Sequence, residues 1–365
     1  MTQYDVAVIG AGPDPESPSV EGYAMGYRHA EGFENDARCS VVGVADIVPE
    51  NAAAFGDAFD LPEQNRFEAY EELLDALAPD VVTVAVPPAI HHDIVVACAR
   101  SGAVSAIHCE KPMATSWTDA RAMVQECRRN DVQLTFNRQR RFGRPFTEAK
   151  RLLDEGAIGS LRRVEITWGD FYDTGAHTID LAGMFNDEHG AEWVLAALDY
   201  RTEDVRFGTH QENQMWAQWR YENGVYGVLS GGEGDDFADA SFVLRGTDGE
   251  IRIDADNGPM LAVTRGADSR TVDVDGETIH ATGSEEDRYG SAFQDRAATE
   301  VIDALADNRE SVLSGRIGLN TTEIIFAGYE SVRRNGRVDL PADVSDHPLE
   351  AMVESGRLSP SPSDE

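Results

Sequence analysis

The chain of 365 residues sets 66 Asp plus Glu against 31 Lys plus Arg, for a formal net charge of −35. That length accommodates two domains of ordinary size, and a 41% hydrophobic content in organised runs excludes general disorder. So acidic a surface excludes nucleic acid and anionic membrane as partners, and no apolar stretch approaches a membrane span. Only two lysines, Lys111 and Lys150, stand beside twenty-nine arginines. An acidic, lysine-poor surface fits a protein kept soluble in concentrated salt, where ionic strength screens self-repulsion. The four cysteines, Cys39, Cys98, Cys109 and Cys127, lack Cys-x-x-Cys spacing, and no basic leader precedes the first strand-like run. Together these predict a soluble cytoplasmic protein with free thiols.

Residues 1–140 alternate buried-strand runs with amphipathic helices, the pattern of a parallel sheet covered on both faces. Strands are expected at 4–9, 41–45, 81–86, 104–109 and 132–136, and helices at 19–30, 49–59, 69–77, 90–101 and 117–129. After 145 the pattern changes: a helix near 146–155, a strand at 162–168, and a helix near 174–185. From 192 to 281 three pairs, Asn223-Gly224, Asp248-Gly249 and Asp275-Gly276, each separate strand-like runs and supply the positive φ of tight hairpins. Helices follow at about 291–307 and 319–334. The fold class is thus α/β: an N-terminal Rossmann-type parallel sheet plus a C-terminal α+β domain with a largely antiparallel open sheet. The domains are expected at 1–140 and 141–340, with an acidic, partly disordered tail at 341–365.

Chemistry concentrates at strand ends. Gly10-Ala11-Gly12 follows the first strand, where a pyrophosphate would meet a helix N-terminus. The usual third glycine is missing from its place; Pro13 to Ser19 intervene, with Ser17 or Ser19 as N-cap, and Gly22 and Gly26 come next. Alone, Gly-x-Gly specifies little beyond strand-turn-helix. Asp46 ends the second strand, where a carboxylate accepts from ribose hydroxyls and repels a 2′-phosphate, although a solvated loop acid would look the same. No arginine follows in Ile47-Val48-Pro49, which favours NAD over NADP. Pro87-Pro88-Ala89-Ile90-His91 and Glu110-Lys111-Pro112 end adjacent strands, where open α/β sheets bind ligands. In a chain nearly without lysine, Lys111 marks a place that needs a compact ammonium.

In the order and spacing of these motifs the chain resembles the Gfo/Idh/MocA family of sugar and cyclitol oxidoreductases. Beyond the motifs above, the resemblance rests on Asn137-Arg138-Gln139-Arg140-Arg141-Phe142, Asp173-x-Gly175-x-His177-x-x-Asp180, Tyr329-Glu330-Ser331-Val332-Arg333 and Arg337-Val338-Asp339-Leu340-Pro341. It implies Lys111 at the reacting hydroxyl and the nicotinamide, His177 as general base or acid, and Asp173 as its partner or a substrate ligand. Asp180, Arg141 and Asn137 are expected at the substrate. Gly10, Gly12, Asp46, Pro87, His91, Glu110 and Lys111 are expected at the cofactor. On one helix, 173, 177 and 180 would share a face, although Asp173 could instead cap the helix with His177 merely packed. The 169–172 connection is shorter than in the family, which implies an open pocket, a bulkier substrate or completion by a neighbouring subunit.

Arg138, Arg140, Arg141 and Arg144 form a basic cluster that could meet an acidic substrate or pair with surrounding acids. Asp254 to Gly258 lacks the ligands of a calcium loop, Asp235, Asp236 and Asp239 read as a solvated turn, and no metal is expected. The expected function is NAD-dependent hydride transfer to or from a secondary alcohol of a sugar, sugar derivative or cyclitol, in a homodimer or homotetramer. The alternatives are an inactive nucleotide- or sugar-binding sensor, and an enzyme that recycles tightly bound NAD within one turnover.

Overall fold

In the computed structural model, residues 3–15, 24–232, 237–280 and 292–360 are described. The chain divides into two compact units. The first comprises Met1–Ala114, Asp119–Gln139 and Thr282–Arg316. Its sheet has six parallel strands: β1 (Tyr4–Ile9), β2 (Cys39–Ala45), β3 (Arg66–Phe67), β4 (Val81–Val84), β5 (Ala106–Cys109) and β6 (Gln133–Phe136), in the order 3-2-1-4-5-6. Between them run α1 (Met25–Glu34), α2 (Pro49–Ala58), α3 (Tyr70–Leu77), α4 (His91–Ser101) and α5 (Trp117–Arg129). Val6 to Ile9 and Val81 to Val84 are buried at every position, as continuous apolar runs must be when helices cover both faces.

The order reverses between β1 and β4, and the crevice at such a switch point is where these sheets bind nucleotides. There Gly10, at φ +87°, lies so close to the chain after β4 that a Cβ would sit 2.6 Å from Val86 Cγ1 and 2.7 Å from the Ala85 carbonyl oxygen. The expected helix at 19–30 begins instead at Met25, and Ser17, Ser19 and Gly22 lie outside the described residues. Gly26 takes the place of the displaced third glycine: a Cβ on it would stand 2.4 Å from Gly10 O and 2.8 Å from Ala11 Cα. The helix thus meets the strand turn through Gly26.

The segment at 282–316 belongs with the first unit, which the simple division at residue 140 does not anticipate. Its helix α8 (Ala292–Ala306) lies against α1, where a Cβ on Gly32 would be 3.1 Å from the Gln294 carbonyl oxygen. Its end meets the β6 edge through Phe136 N donating to Leu313 O, 3.0 Å.

The second unit comprises Thr115–Thr118, Arg140–Ala281 and Ile317–Glu365. It holds α6 (Arg144–Asp154), β7 (Leu161–Ile166), α7 (Gly175–Phe185), β8 (Ala191–Asp199), β9 (Val205–Arg206), β10 (Thr209–His210), β11 (Gln214–Tyr221) and β12 (Tyr226–Gly232). β13 (Ala240–Gly246), β14 (Glu250–Ala255), β15 (Leu261–Arg265), β16 (Asp268–Thr271), α9 (Gly315–Arg334, whose first two residues group with the first unit), β17 (Val338–Asp339) and α10 (Pro348–Glu354) follow. Nine strands form one sheet in the order 16-15-14-13-7-12-11-8-17, antiparallel except where β7 lies parallel to β12. Period-2 alternation in β11 sends Met215, Ala217, Trp219 and Tyr221 inward and leaves Trp216 exposed. Phe242 packs edge-on against Phe146 of α6 and Phe185 of α7.

Asn223-Gly224 and Asp248-Gly249 both join paired antiparallel strands, with the expected positive φ at Gly224 but at neither Asp248 nor Gly249. Asp275-Gly276 does not: it turns after β16, and the next strand along the chain, β17, pairs with β8 instead. A positive-φ pair makes a turn anywhere, and a hairpin only where a strand waits to be paired. Asp254 to Gly258 turns the chain from β14 to β15, and Asp235 and Asp236 lie outside the described residues. The acidic tail is structured well past 341, since Leu349 and Met352 of α10 are buried; its final residues, 361–365, lie outside the described set.

Gly26→Ala should destabilise the protein by ~1–3 kcal/mol, because the added methyl meets backbone and not a flexible side chain. Thermal unfolding beside Gly336→Ala, whose added methyl meets nothing within 4 Å, checks this. Equal melting temperatures would contradict it.

Candidate active site

In the first unit the dinucleotide turn is tied to the second strand. Gly12 N donates to Asp46 Oδ2 (3.0 Å), while Asp46 Oδ1 accepts from Val48 N (2.9 Å) and Asn51 Nδ2 (3.4 Å). Asp46 is thus held at the end of β2 with acceptor capacity to spare. Gly10, Gly12 and Gly26 leave room that a Cβ would fill at the start of α1. This cradle with its fixed acid fits a dinucleotide.

Below the ends of β4, β5 and β6 lies a buried polar network. Glu110 is 7% exposed, His29 2%, and Asn137 and Thr83 are fully buried. Glu110 Oε1 accepts from His29 Nε2 (2.8 Å) and Asn137 Nδ2 (2.6 Å), and Oε2 accepts from Lys111 N (3.0 Å). His29 Nδ1 meets the Thr83 hydroxyl. Burial pushes the Glu110 carboxyl up, but His29, Lys111 and Asn137 outweigh it and hold it at about 2. His108, whose ring centroid lies 5.1 Å from that of His29, is pushed down by burial to about 3.

His91, with no exposed surface, spans two loops: Nε2 faces Val86 O (2.8 Å), and Nδ1 faces Pro112 O (3.1 Å) and Met113 O (3.2 Å). It latches the Lys111-Pro112 turn, whose peptide bond is cis, to the chain after β4. Pro87 is exposed on that chain, and Lys111 is half-buried. Arg138 donates to Ser314 O (3.0 Å).

In the second unit, α7 starts at Gly175, so Asp173 stands in the turn before the helix and not on a shared helical face with His177 and Asp180. That turn is held by Asp170. Its Oδ1 accepts from Asp173 N (2.6 Å) and Thr174 N (3.0 Å), and its Oδ2 from Thr174 Oγ1 (2.8 Å) and Arg206 Nη1 (3.3 Å). His177 is buried in the first turn, its N–H donating to Thr174 O (2.8 Å). Asp180 is 1% exposed and forms a two-pronged pair with the Arg141 guanidinium, which also reaches Glu188. Stripping either partner would strand a buried charge. Arg144 pairs with Asp275 (3.0 Å). Arg140 lies over the Trp168 ring at 4.5 Å and donates to Ile279 O (2.7 Å); burial lowers its pKa to about 10, which Asp173 partly offsets.

Two acids of the α7 turn escaped the sequence reading. Asp170 carried a signal, an acid just ahead of a helical run. Glu212, just before β11, carried none. Glu212 Oε1 accepts from Phe171 N and Oε2 from the Tyr329 hydroxyl, both at 2.6 Å, which holds the turn from below.

The turn at Gly10–Gly12, the fixed Asp46 and the 3-2-1-4-5-6 order are those of a dinucleotide-binding sheet. A model of the oxidoreductase family with an NAD-binding Rossmann fold matches residues 5–138, and one of its C-terminal alpha/beta domain matches 150–340. The chain belongs to the Gfo/Idh/MocA oxidoreductase family. It is an NAD-dependent oxidoreductase of the dehydrogenase class. It is 25% identical over 373 residues to a D-apiose dehydrogenase of Rhizobium rhizogenes, covering 94% of this chain and 99% of that one. With an inositol 2-dehydrogenase of Rhizobium meliloti it shares 31% identity over 146 residues, 40% of this chain and 42% of that protein. An oxidoreductase from Agrobacterium radiobacter in complex with NAD+, L-tartaric acid and magnesium has the same fold, with a TM-score of 0.75 at 21% identity over 93% of this chain and 98% of the other. Among the described residues no helix is long and apolar enough to cross a membrane, and no group of three His, Cys, Asp or Glu is placed to hold a metal ion.

Burial raises Glu212 to about 7, with Asp170 adding to it. The folded chain therefore keeps a proton that the unfolded chain releases near 4.5. The stability this contributes is complete below about pH 4.5 and is lost as pH rises through about 7. From about pH 5 to about pH 8 the wild type should lose roughly 3 kcal/mol relative to Glu212→Gln, read by urea unfolding. Parallel pH profiles would contradict this.

Proposed function

We propose that the protein transfers hydride between NAD and a secondary alcohol of a sugar, sugar derivative or cyclitol. The observation that carries this reading is the Glu110-Lys111-Pro112 corner. A scarce lysine sits at the end of β5 with its backbone held by a buried carboxylate, in the same unit as a glycine cradle that fits a dinucleotide. The sugar and inositol dehydrogenases among its relatives support the substrate class.

NAD, when bound, supplies the hydride acceptor; Gly10, Gly12 and Asp46 would hold it, with Pro87, His91, Glu110 and Lys111 lining the neighbouring strand ends. In the oxidation direction His177 accepts the hydroxyl proton, which an imidazole can do near neutral pH. The Lys111 ammonium stabilises the charge that develops on the substrate oxygen. Asp173 orients His177 or the substrate. Asp180, Arg141 and Asn137 enter this reading as the scaffold under the reacting groups, since their side chains already have partners inside the protein.

The exposed Leu195 and Trp216 of the nine-stranded sheet favour pairing with a second copy. The net charge of −35 favours a saline cytoplasm, so molar KCl is the assay medium.

A panel of sugars, sugar acids and inositols, D-apiose and myo-inositol included, should yield NADH with NAD in preference to NADP. Lys111→Met should lower kcat on the order of 10²–10³-fold or more while NADH binding changes little. Retained turnover in Lys111→Met would overturn the mechanism.

A further inference from the structure

We propose that His29 is a positioning residue for Lys111, acting through Glu110 and joining the helix of the dinucleotide turn to the lysine-bearing corner. This deepens the reading of Lys111 as a catalytic group and rests on it. His29 lies on α1 and faces the sheet, with 2% of its surface exposed. A histidine at the buried face of a helix is costly unless both ring nitrogens are satisfied. Here they are satisfied by two different strands. Nδ1 meets the Thr83 hydroxyl within β4, and Nε2 meets Glu110 Oε1 at 2.8 Å just after β5. The amide nitrogen of Asn137 lies 2.9 Å from the same Nε2, so His29, Asn137 and Glu110 close one cluster.

The consequence falls on Glu110. A carboxylate buried this deeply persists only when its oxygens are occupied. Oε1 is shared by His29 and Asn137, while Oε2 is committed to the N–H of Lys111. Both donors to Oε1 are themselves anchored, His29 by Thr83 and Asn137 by its backbone N–H donating to Cys109 O at 2.7 Å. The carboxylate plane is therefore fixed, and with it the direction in which the chain leaves β5 at Lys111. Asn137 on its own could hold Oε1. It could not link it to α1.

That link matters because of where His29 sits. Gly26, one turn earlier on the same helix, is the residue packed against Gly10 and Ala11 of the dinucleotide turn. One rigid element thus carries both the closest helix contact to the turn and the donor that orients Glu110. The titratable groups around His29 are Glu110 and His108, and burial keeps His108 neutral. The other donor at Oε1 is the uncharged amide of Asn137.

Because the chain has only two lysines, the proposal can be read directly. Reductive methylation with ¹³C-formaldehyde makes dimethylamines of Lys111 and Lys150, assigned with Lys111→Met and Lys150→Arg. Spectra of the full chain are taken with NAD present. The Lys111 signal should be displaced from its position in the urea-unfolded chain. His29→Leu should collapse about half of that displacement or more, Thr83→Val should move it the same way by less, and His29→Gln, which keeps an N–H donor, should restore it. The Lys150 signal, which reports on its pairing with Asp187 (2.9 Å), should stay in place and shows that each variant is folded. If His29→Leu fails to fold, the Thr83→Val and His29→Gln pair decides the matter. A Lys111 signal that matches the unfolded position in wild type, or that none of these variants moves, overturns the proposal. Turnover surviving in Lys111→Met would instead end the catalytic reading of the lysine and leave the positioning result standing.

Discussion

The buried carboxylate of Glu110 is the constraint around which the first unit is organised. Placing a negative charge beneath the ends of β4, β5 and β6 costs several kcal/mol of hydration unless every lone pair finds a donor. The chain meets that cost with donors from three places: α1, the end of β6, and the backbone of the next residue. These bonds cross the whole breadth of the nucleotide-binding edge. A group that needed only to be solvated could have stood in a loop; one that must aim Lys111 could not.

The second unit solves a related problem differently. It too buries acids, but each is matched to a local task. Asp170 holds the turn before α7, Asp180 is neutralised by Arg141, and Glu212 keeps its proton to near neutrality because it is buried and Asp170 stands close. The short 169–172 connection leaves little chain with which to place Asp173 and His177. The bonds from Asp170 and Glu212 to the N–H groups of 171, 173 and 174 hold that chain in place.

Much of this was legible in the sequence, and what was hidden was hidden for physical reasons. Continuous apolar runs located β1, β4 and β5, and strand ends located Asp46 and Lys111, because ligand sites in such sheets follow from topology. Spacing is a one-dimensional signal and left the third glycine open between Gly22 and Gly26; in space it is Gly26 that meets Gly10. Asp173, His177 and Asp180 fit a helical period, yet α7 begins at Gly175 and leaves Asp173 in the turn before it. Asp180 was placed by helical spacing and motif and Arg141 by motif and charge, and none of these signals says that the two residues pair with each other. His29 and Glu212 could not be found, since each takes its meaning from residues 81 and 117 positions away.

The central claim is that this chain moves hydride from a carbon bearing a hydroxyl to NAD. Wild-type protein in molar KCl would be incubated with NAD+ and with D-apiose or myo-inositol deuterated at its carbinol carbons, and the reduced cofactor analysed by mass spectrometry. The account predicts NADH carrying deuterium from at least one of them. No reduced cofactor from either, or reduced cofactor without the label, would contradict it.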